Sequence, residues 1–375
     1  MRICHVFKIT GVSGSENHLL ALASHLDRNR YRLTFCLLVE RGPDLSAYVA
    51  ALEVVGVEVV RFPIRADLDP LLLWRLARFL RAAKPDIVHT HLIHGDLYGT
   101  LAARLAGVPV VVSTKHNDDA FRRSRFYAWL SRQVARRQDR IIAISNHLAR
   151  FAVEVEGLDA DRITTIHYGL DGAAFRARVR DVAGVRAEFD IPAAAPLAGV
   201  VARLDPQKGH VYLLRAWRQV TAALPEEARL LVVGDGPLRG ELQQQTRDLG
   251  LEGSVIFTGR RKDVPRLMAA LDVVTLPSLW EGFGLVLLEA MAVARPIVAS
   301  RVSAIPEIVA DGETGLLVPP RDVNALAAAL IELLRDHQQA AEMGRRGQER
   351  LEQEFTVERM VAQTEAVYEQ EAVTA

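Results

Sequence analysis

Residues 273–289 read Val-Val-Thr-Leu-Pro-Ser-Leu-Trp-Glu-Gly-Phe-Gly-Leu-Val-Leu-Leu-Glu, and their order predicts a strand, a tight loop and the start of a helix. A short apolar run comes first, Pro277 and Ser278 interrupt it, and apolar positions resume at helical spacing after two glycines. A strand that leads through a short loop into a helix is the repeating unit of parallel α/β sheets.

The same alternation extends along nearly the whole chain. Strands are predicted near residues 2–7, 31–39, 57–61, 86–91, 108–113, 140–144 and 163–166, and again near 197–202, 229–233, 255–257, 273–276, 296–299 and 315–318. This pattern predicts an α/β protein with two Rossmann-like domains that face each other across a cleft. The predicted limits are 1–172 for the first domain, 173–195 for a linker, 196–355 for the second domain, and 356–375 for a helix that returns to the first.

Length and composition are those of a globular protein. The 375 residues exceed one typical core, 50% are hydrophobic and 25% are charged. No apolar run reaches the roughly 18 residues that span a bilayer, and the first residues read as a strand without a signal-peptide core. A cytoplasmic protein is therefore expected. Cys4 and Cys36 lie in apolar strand-like runs, which favours buried thiols over a disulfide or a metal site.

Charge is distributed unevenly although the formal net charge is zero. Residues 1–175 hold 23 Lys and Arg against 18 Asp and Glu, whereas the remainder holds 23 against 28. Much of the basic excess lies in the segment Arg122–Arg140, whose seven arginines accompany Phe126, Tyr127 and Trp129 and directly follow Phe121. Such a segment could lie on an anionic membrane surface, and a solvated helix face is the alternative. Nucleic acid is not an expected partner, because no nucleic-acid motif accompanies the charge.

The loop quoted first also predicts a ligand site. Its glycines would let a ligand approach, and the first free amides of the helix, at Leu285 and Val286, suit an anion. Glu281 lies on the loop and Glu289 about a turn and a half into the helix. Carboxylates repel phosphate but accept hydrogen bonds from hydroxyls, so a nucleotide sugar fits both groups. The alternative is that Glu281 is a solvated loop residue and Glu289 a surface position.

Three further stretches lie at predicted carboxyl ends of strands, where α/β sheets bind ligands. Arg203 and Lys208 bracket a Pro-containing turn and are suited to a diphosphate, with surface solvation as the alternative. Residues 11–16 form a Gly-rich loop in which Ser15 is a plausible helix N-cap. His116 follows the strand that ends near Ser113 and is a candidate ligand-binding residue.

Together these motifs resemble the retaining glycosyltransferases of family four, which have the GT-B architecture. The resemblance implies that Arg203 and Lys208 bind the donor diphosphate with the amides of Leu285 and Val286, and that Glu289 binds the ribose. It also implies that Glu281 and His116 act on the transferred sugar as the catalytic pair. Gly14 would approach the phosphates or the acceptor, and the sugar would also contact the loop residues Gly282, Phe283 and Gly284.

The resemblance implies transfer of a sugar to a glycan or lipid-linked acceptor of a cell-surface pathway, with no cofactor. Alternatives are a nucleotide-sugar epimerase of the same architecture and a catalytically silent sugar-binding protein. Some family features are altered, since Ser13, Ser303-Ala304 and Ala294-Arg295 stand where glycines are common. These changes affect inferences about sugar choice and loop geometry.

No metal site is expected. His89 and His91 share one strand face, but no third ligand has convincing spacing. Asp67-Leu68-Asp69 resembles the D-x-D metal motif of another class of glycosyltransferases, and three residues in a charged loop are too little to predict a site.

Overall fold

The computed structural model describes residues 1–40, 42, 44–66, 69–224 and 227–374. Asp67 and Leu68 of the D-x-D sequence lie outside this set. The chain forms two compact units. Unit 1 contains Met1–Gly169 together with the residues from Val357 onwards, and unit 2 contains Leu170–Thr356.

Unit 1 begins with a strand–helix alternation. Its elements are β1 (Arg2–Ile9), α1 (Gly14–His25), β2 (Arg32–Val39), α2 (Ser46–Val54), β3 (Glu58–Pro63), α3 (Pro70–Ala83), β4 (Ile87–His91), α4 (Leu92–His94), α5 (Thr100–Ala106), β5 (Val110–Lys115), α6 (Arg125–Ala135), β6 (Arg140–Ala143), α7 (Asn146–Glu154) and β7 (Ile163–Thr165). The strands pair in parallel in the order β3-β2-β1-β4-β5-β6-β7. Strand order therefore reverses between β1 and β4, which is the topological switch point of this sheet.

Unit 2 repeats the plan. Its elements are α8 (Gly172–Ala177), α9 (Ala183–Glu188), β8 (Leu197–Val201), α10 (His210–Ala223), β9 (Arg229–Val233), α11 (Arg239–Asp248), β10 (Val255–Gly259), α12 (Val264–Ala270), β11 (Val273–Leu276), α13 (Leu285–Ala292), β12 (Ile297–Ser300), α14 (Ile305–Ile308), β13 (Gly315–Val318), α15 (Val323–Arg335) and α16 (His337–Glu354). The parallel order is β10-β9-β8-β11-β12-β13, so β8 and β11 flank its switch point.

The last described helix, α17 (Val357–Thr374), belongs to unit 1, as the sequence predicts. Val357, Met360 and Tyr368 join the core that α1 and α2 form on one face of the seven-stranded sheet. A second apolar cluster covers the other face, where Leu72, Leu76 and their neighbours on α3 pack with α5. Both faces of the sheet are therefore buried, as a parallel sheet requires.

The stretch predicted as a linker, 173–195, differs from that prediction. It contains most of α8 and all of α9 and lies in unit 2, where Phe175 and Val185 are buried. Arg266 of α12 reaches Glu188 at 2.6 Å, which ties α9 to the unit. Short helices held by such tertiary contacts leave a weak periodic signal in sequence.

Local sequence accounts for the ends of the helices. In α3 the Asp69 side chain accepts a hydrogen bond from the amide of Leu72, Pro70 is the first helical residue, and Lys84 ends the helix in the left-handed region. Within the described ranges no helix is both long and apolar enough to cross a membrane.

Candidate functional site

In unit 2 the loops that follow β8 and β11 lie side by side at the switch point, because the two strands are hydrogen-bonded neighbours. The amide of Leu279 donates to the carbonyl of Gln207 at 2.7 Å, and the Gln207 side chain donates to the carbonyl of Trp280 at 2.9 Å. Gly209 has φ +67°, and a Cβ there would lie 2.0 Å from the Pro277 carbonyl oxygen. Only glycine lets the two loops come this close.

This packing brings two predicted site residues into contact. The Lys208 ammonium lies 2.5 Å from a Glu281 carboxylate oxygen, and the Ser278 hydroxyl donates to the same oxygen at 3.3 Å. Glu281 is only 8% exposed, so it is not the solvated loop residue of the alternative reading. The side chain of Arg203 is 72% exposed and lies 3.9 Å from the carboxylate of Asp205. Arg203 is thus free to turn towards an anion, whereas Lys208 is held by Glu281.

Helix α13 begins beside this pair with an open end. Its N-cap, Gly284, has φ +96° and offers no capping side chain. Among the described residues, nothing accepts a hydrogen bond from the amides of Leu285 and Val286. These two donors and the positive end of the helix dipole, beside a cation, are suited to an anion.

Glu289 lies farther along α13 and is half-buried. Burial raises its pKa to about 7, and the positive charge of Arg178 partly opposes this shift. Within the described ranges no side chain or amide donates to its carboxyl group. A carboxyl group with raised pKa and no donor from the protein is ready to accept hydrogen bonds from ligand hydroxyls.

In unit 1 the helix end that follows the switch-point strand β1, the start of α1, is closed. The carboxylate of Glu16 accepts hydrogen bonds from the Ser13 amide at 2.9 Å and from the hydroxyls of Ser13 and Ser15 at 2.6 and 3.1 Å. This is a capping box in which Ser13, not the expected Ser15, is the N-cap. A buried carboxylate at this end repels a second anion such as a phosphate. Gly14 is the first residue of α1.

His116 lies in a buried polar cluster of unit 1. Its Nε2 is 3.0 Å from Nδ1 of His91, and its Nδ1 is hydrogen-bonded to the Tyr168 hydroxyl. Nε2 of His91 is in turn 2.9 Å from Nδ1 of His5. Burial lowers the pKa of His116 to about 3, with Asp96 opposing the shift. Both ring nitrogens of His116 are therefore occupied within unit 1, and the ring is neutral at pH 7.

Sequence reasoning missed the partners of His116. His5 is in register with His89 on the neighbouring strand, and His89 is hydrogen-bonded to Tyr368 and Thr114, both at 2.7 Å. His5 reads as an ordinary residue inside the first strand, and only the pairing of β1 with β4 brings it to the cluster. The signal that pointed here was the His-x-His pattern of β4.

His5, His89 and His91 also form a set whose ligand atoms lie within 4.8 Å of one another, which is close enough for a metal ion. However, both nitrogens of His89 are hydrogen-bonded to hydroxyls. The 2.9 Å between His5 and His91 is a hydrogen-bond distance, shorter than the about 3.3 Å between two nitrogens that bind zinc tetrahedrally. The arrangement is that of a hydrogen-bonded network.

The segment Arg122–Arg140 is only partly a basic surface. Arg122 is buried and donates to Glu156 at 2.6 Å, and Arg140 donates to Glu371 at 2.8 Å. The other five arginines are exposed: Arg123, Arg125, Arg132, Arg136 and Arg137. Four aromatic side chains are exposed beside them, with neighbouring rings 5.0 to 6.2 Å apart: Phe121, Phe126, Tyr127 and Trp129.

Two family models match the chain. The model described as Glycosyltransferase Family 4 matches residues 12–173, and the model described as Glycosyl transferases group 1 matches residues 195–336. The first match falls largely on unit 1 and the second on unit 2.

Named relatives are similar over most of their length. D-inositol 3-phosphate glycosyltransferase of Mycolicibacterium smegmatis is 32% identical over 88% of this chain and 81% of the relative. UDP-Gal:alpha-D-GlcNAc-diphosphoundecaprenol alpha-1,3-galactosyltransferase of Escherichia coli is 28% identical over 90% of this chain and 88% of the relative. The crystal structure of Anabaena Alr3699/HepE with UDP-glucose has a TM-score of 0.86 and 26% identity, over 99% of this chain and 100% of that one. The GT-B fold expected from the sequence is thereby confirmed.

Proposed function

We propose that this chain, which belongs to glycosyltransferase family 4, transfers a sugar from a nucleoside diphosphate sugar to an acceptor hydroxyl with retention of configuration. The observation that carries the proposal is the Lys208–Glu281 pair beside the open end of α13. One small region then offers a cation and free amides to a diphosphate and a carboxylate to a sugar. An epimerase of the same architecture would bind the same donor but would need a proton-handling base and no acceptor, and a silent binding protein would bind the donor without turnover.

Charge balance explains how transfer would proceed. The nucleoside diphosphate leaves as the anomeric carbon gains positive charge, and Lys208, Arg203 and the amides of Leu285 and Val286 would stabilise the leaving group. These groups would meet the charge of the diphosphate without a metal ion. Glu281 and the loop that contains Gly282, Phe283 and Gly284 would bind the transferred sugar, as would His116, and Glu289 would bind the ribose.

The acceptor is proposed to be a glycan or a lipid-linked sugar in a cell-surface pathway. The Escherichia coli relative is named for an acceptor that carries diphosphoundecaprenol, and this supports the lipid-linked class. In unit 1 the closed end of α1, near Gly14, favours a neutral hydroxyl over a phosphate.

We also propose that the enzyme works in the cytoplasm and that unit 1 docks on the inner, anionic face of the cell membrane. Phe126 and Trp129 are 64% and 51% exposed on α6, and Trp74 is 56% exposed on α3. Right-handed crossovers from β3 to β4 and from β5 to β6 run in the same direction, so α3 and α6 lie on the same face of the sheet. Exposed aromatics with flanking arginines suit a headgroup layer.

A donor panel tests the reaction. The protein is incubated with nucleotide sugars, with and without acceptor extracts, and released nucleotide, glycosylated product and isomerised sugar are separated. We expect acceptor-dependent release of nucleotide and a product with the donor's anomeric configuration. Isomerised sugar without acceptor would identify an epimerase, and binding without turnover would identify a silent protein.

Glu281→Gln separates sugar from nucleotide contacts. Loss of the carboxylate should lower turnover on the order of 10²-fold, because one stabilising contact is lost at the reacting sugar. Affinity for the free nucleoside diphosphate should stay close to that of the wild type in calorimetry. If turnover and affinity for the nucleoside diphosphate fell equally, Glu281 would contact the nucleotide, which would contradict its proposed role.

Liposome flotation tests the membrane surface. The double variant Arg125→Gln with Arg136→Gln should weaken binding to anionic vesicles roughly 30-fold, since each arginine near the surface contributes about 1 kcal/mol. Added salt should also weaken binding of the wild type, because it screens these charges. Arg345→Gln with Arg346→Gln, on α16 of unit 2, changes the net charge equally and is the control. Equal effects of the two double variants, or equal binding to neutral vesicles, would favour a solvated face and a soluble acceptor.

A further inference from the structure

Three buried histidines of unit 1 form a line of hydrogen bonds that ends at a tyrosine. His5 on β1 is bonded to His91 at the end of β4, His91 is bonded to His116, and His116 is bonded to Tyr168. The bonds join Nδ1 of each ring to Nε2 of the next along the line from His5 to His116. At the far end, Nε2 of His5 is buried and has no hydrogen-bond partner in the described part of the chain.

All three rings are neutral. Burial lowers the pKa of His5 to about 3, has a similar effect on His116, and lowers the pKa of His91 well below its usual value. A neutral imidazole carries one N–H and one bare nitrogen, and each bond between two rings needs one of each. The tautomers are therefore coupled, and only two arrangements of the line satisfy both bonds between rings.

The unpartnered nitrogen of His5 distinguishes these arrangements. If the protons point from Tyr168 towards His5, Nε2 of His5 bears a buried N–H without an acceptor. If they point the other way, Nε2 bears only a lone pair. Buried N–H groups without acceptors are rarer than acceptors without donors, and this favours the second arrangement.

We infer that His5, which lies two strands away from His116, fixes His116 as the tautomer protonated on Nδ1. His5 Nδ1–H donates to His91 Nε2, His91 Nδ1–H donates to His116 Nε2, and His116 Nδ1–H donates to the oxygen of Tyr168. His5 is then a positioning residue. It orients the ring of His116 and makes its Nδ1 a hydrogen-bond donor.

The functional consequence rests on the proposed role of His116 in binding the transferred sugar. A sugar oxygen would replace Tyr168 as the acceptor of the Nδ1–H group. Hydrogen bonds in a chain polarise one another, so this donor is stronger than an isolated imidazole. The opposite tautomer would present a bare nitrogen, which accepts a hydrogen bond from a hydroxyl instead of donating one.

Two matched variants at His5 separate these roles. The side-chain nitrogen of Asn reaches the position of Nδ1, and that of Gln reaches the position of Nε2, so only His5→Asn keeps a donor to His91. We expect His5→Asn to keep the Nδ1–H tautomer of His116 and near wild-type turnover. His5→Gln should shift His116 to the Nε2–H tautomer and lower kcat roughly 10-fold, with KM for the donor nearly unchanged.

The readout is the two-bond ¹⁵N–¹H correlation spectrum of protein labelled in its histidine rings. The signals of His116 are assigned by their loss in His116→Gln, and His210 of unit 2 is the internal reference. A wild-type proton on Nε2 of His116 overturns the inference even if no His5 variant folds. An unchanged tautomer in folded His5→Gln also overturns it. A tautomer shift without loss of turnover leaves the tautomer assignment standing and removes the sugar-binding role of His116.

Discussion

The two units have the same strand order around their switch points, but two of the helix ends found there, that of α13 after β11 and that of α1 after β1, differ in chemistry. In unit 2, α13 starts at Gly284 without a capping side chain, next to Lys208. In unit 1, the buried carboxylate of Glu16 caps α1, and the polar groups nearby are neutral histidines. Each switch point therefore has a helix end beside it, and the presence or absence of a carboxylate cap sets the charge that this helix end favours.

Removing the positive charge of Lys208 in unit 2 should have the largest effect on nucleotide binding. Lys208→Ala should weaken binding of a free nucleoside diphosphate roughly 10- to 100-fold, because a charged hydrogen bond contributes about 1.5–3 kcal/mol. Arg203→Ala should have a smaller effect, since the side chain is exposed. Calorimetry measures both, with Arg345→Ala as a control on the same unit. Unchanged affinity in both variants would show that the diphosphate does not bind at this helix end.

Glu289 gives ligand binding at unit 2 an expected pH dependence. Only the ionised carboxyl can accept two ribose hydroxyls, and its pKa is raised to about 7. Affinity for a nucleotide sugar should therefore rise several-fold between about pH 6 and 8 in the wild type and stay flat in Glu289→Gln. Parallel affinity profiles would argue against a ribose contact.

The same shift predicts the direction of a stability change. The folded-state pKa lies above the reference value of 4.5, so the protonated carboxyl favours the fold below about pH 4.5. That contribution is lost as the pH rises through 7. The urea midpoint of the wild type should consequently fall relative to that of Glu289→Gln between pH 5 and 8.

The smallest effect is expected at the cap of unit 1. Glu16→Gln keeps the size of the side chain and removes its charge, so unfolding free energy should fall by about 1 kcal/mol through the weakened cap. Affinity for the nucleoside diphosphate should not change. An altered affinity would mean that the diphosphate contacts α1.

The strands were predictable because apolar β-rich runs alternate with amphipathic helices throughout the chain. The position of Lys208 and Glu281 at carboxyl ends of strands was predictable too. Their direct contact was not, because it depends on β8 and β11 being neighbours in the sheet. The spacing Ser13-x-x-Glu16 is that of a capping box, and the choice of Ser15 as N-cap missed this signal.

The histidine line shows the same limit more clearly. His89 and His91 stood out as a pair on one strand, while His5 and Tyr168 carry no local signal. Their roles arise from register between β1 and β4 and from a loop that follows β7. His5 and His91 are 86 positions apart in the chain. No periodic sequence pattern can predict a contact over this distance.

Because α17 completes the core of unit 1, this unit is discontinuous in the chain, whereas unit 2 is continuous. On the ribosome the apolar face of unit 1 that contacts Met360 and Tyr368 stays uncovered while Leu170–Thr356 is synthesised. This takes about 10 to 40 s at 5–20 residues per second. We therefore expect the second unit to mature first and the first unit to depend on a chaperone in that interval. A chain stopped after Thr356 should keep native hydrogen-exchange protection in unit 2 and lose it around β1 and α1.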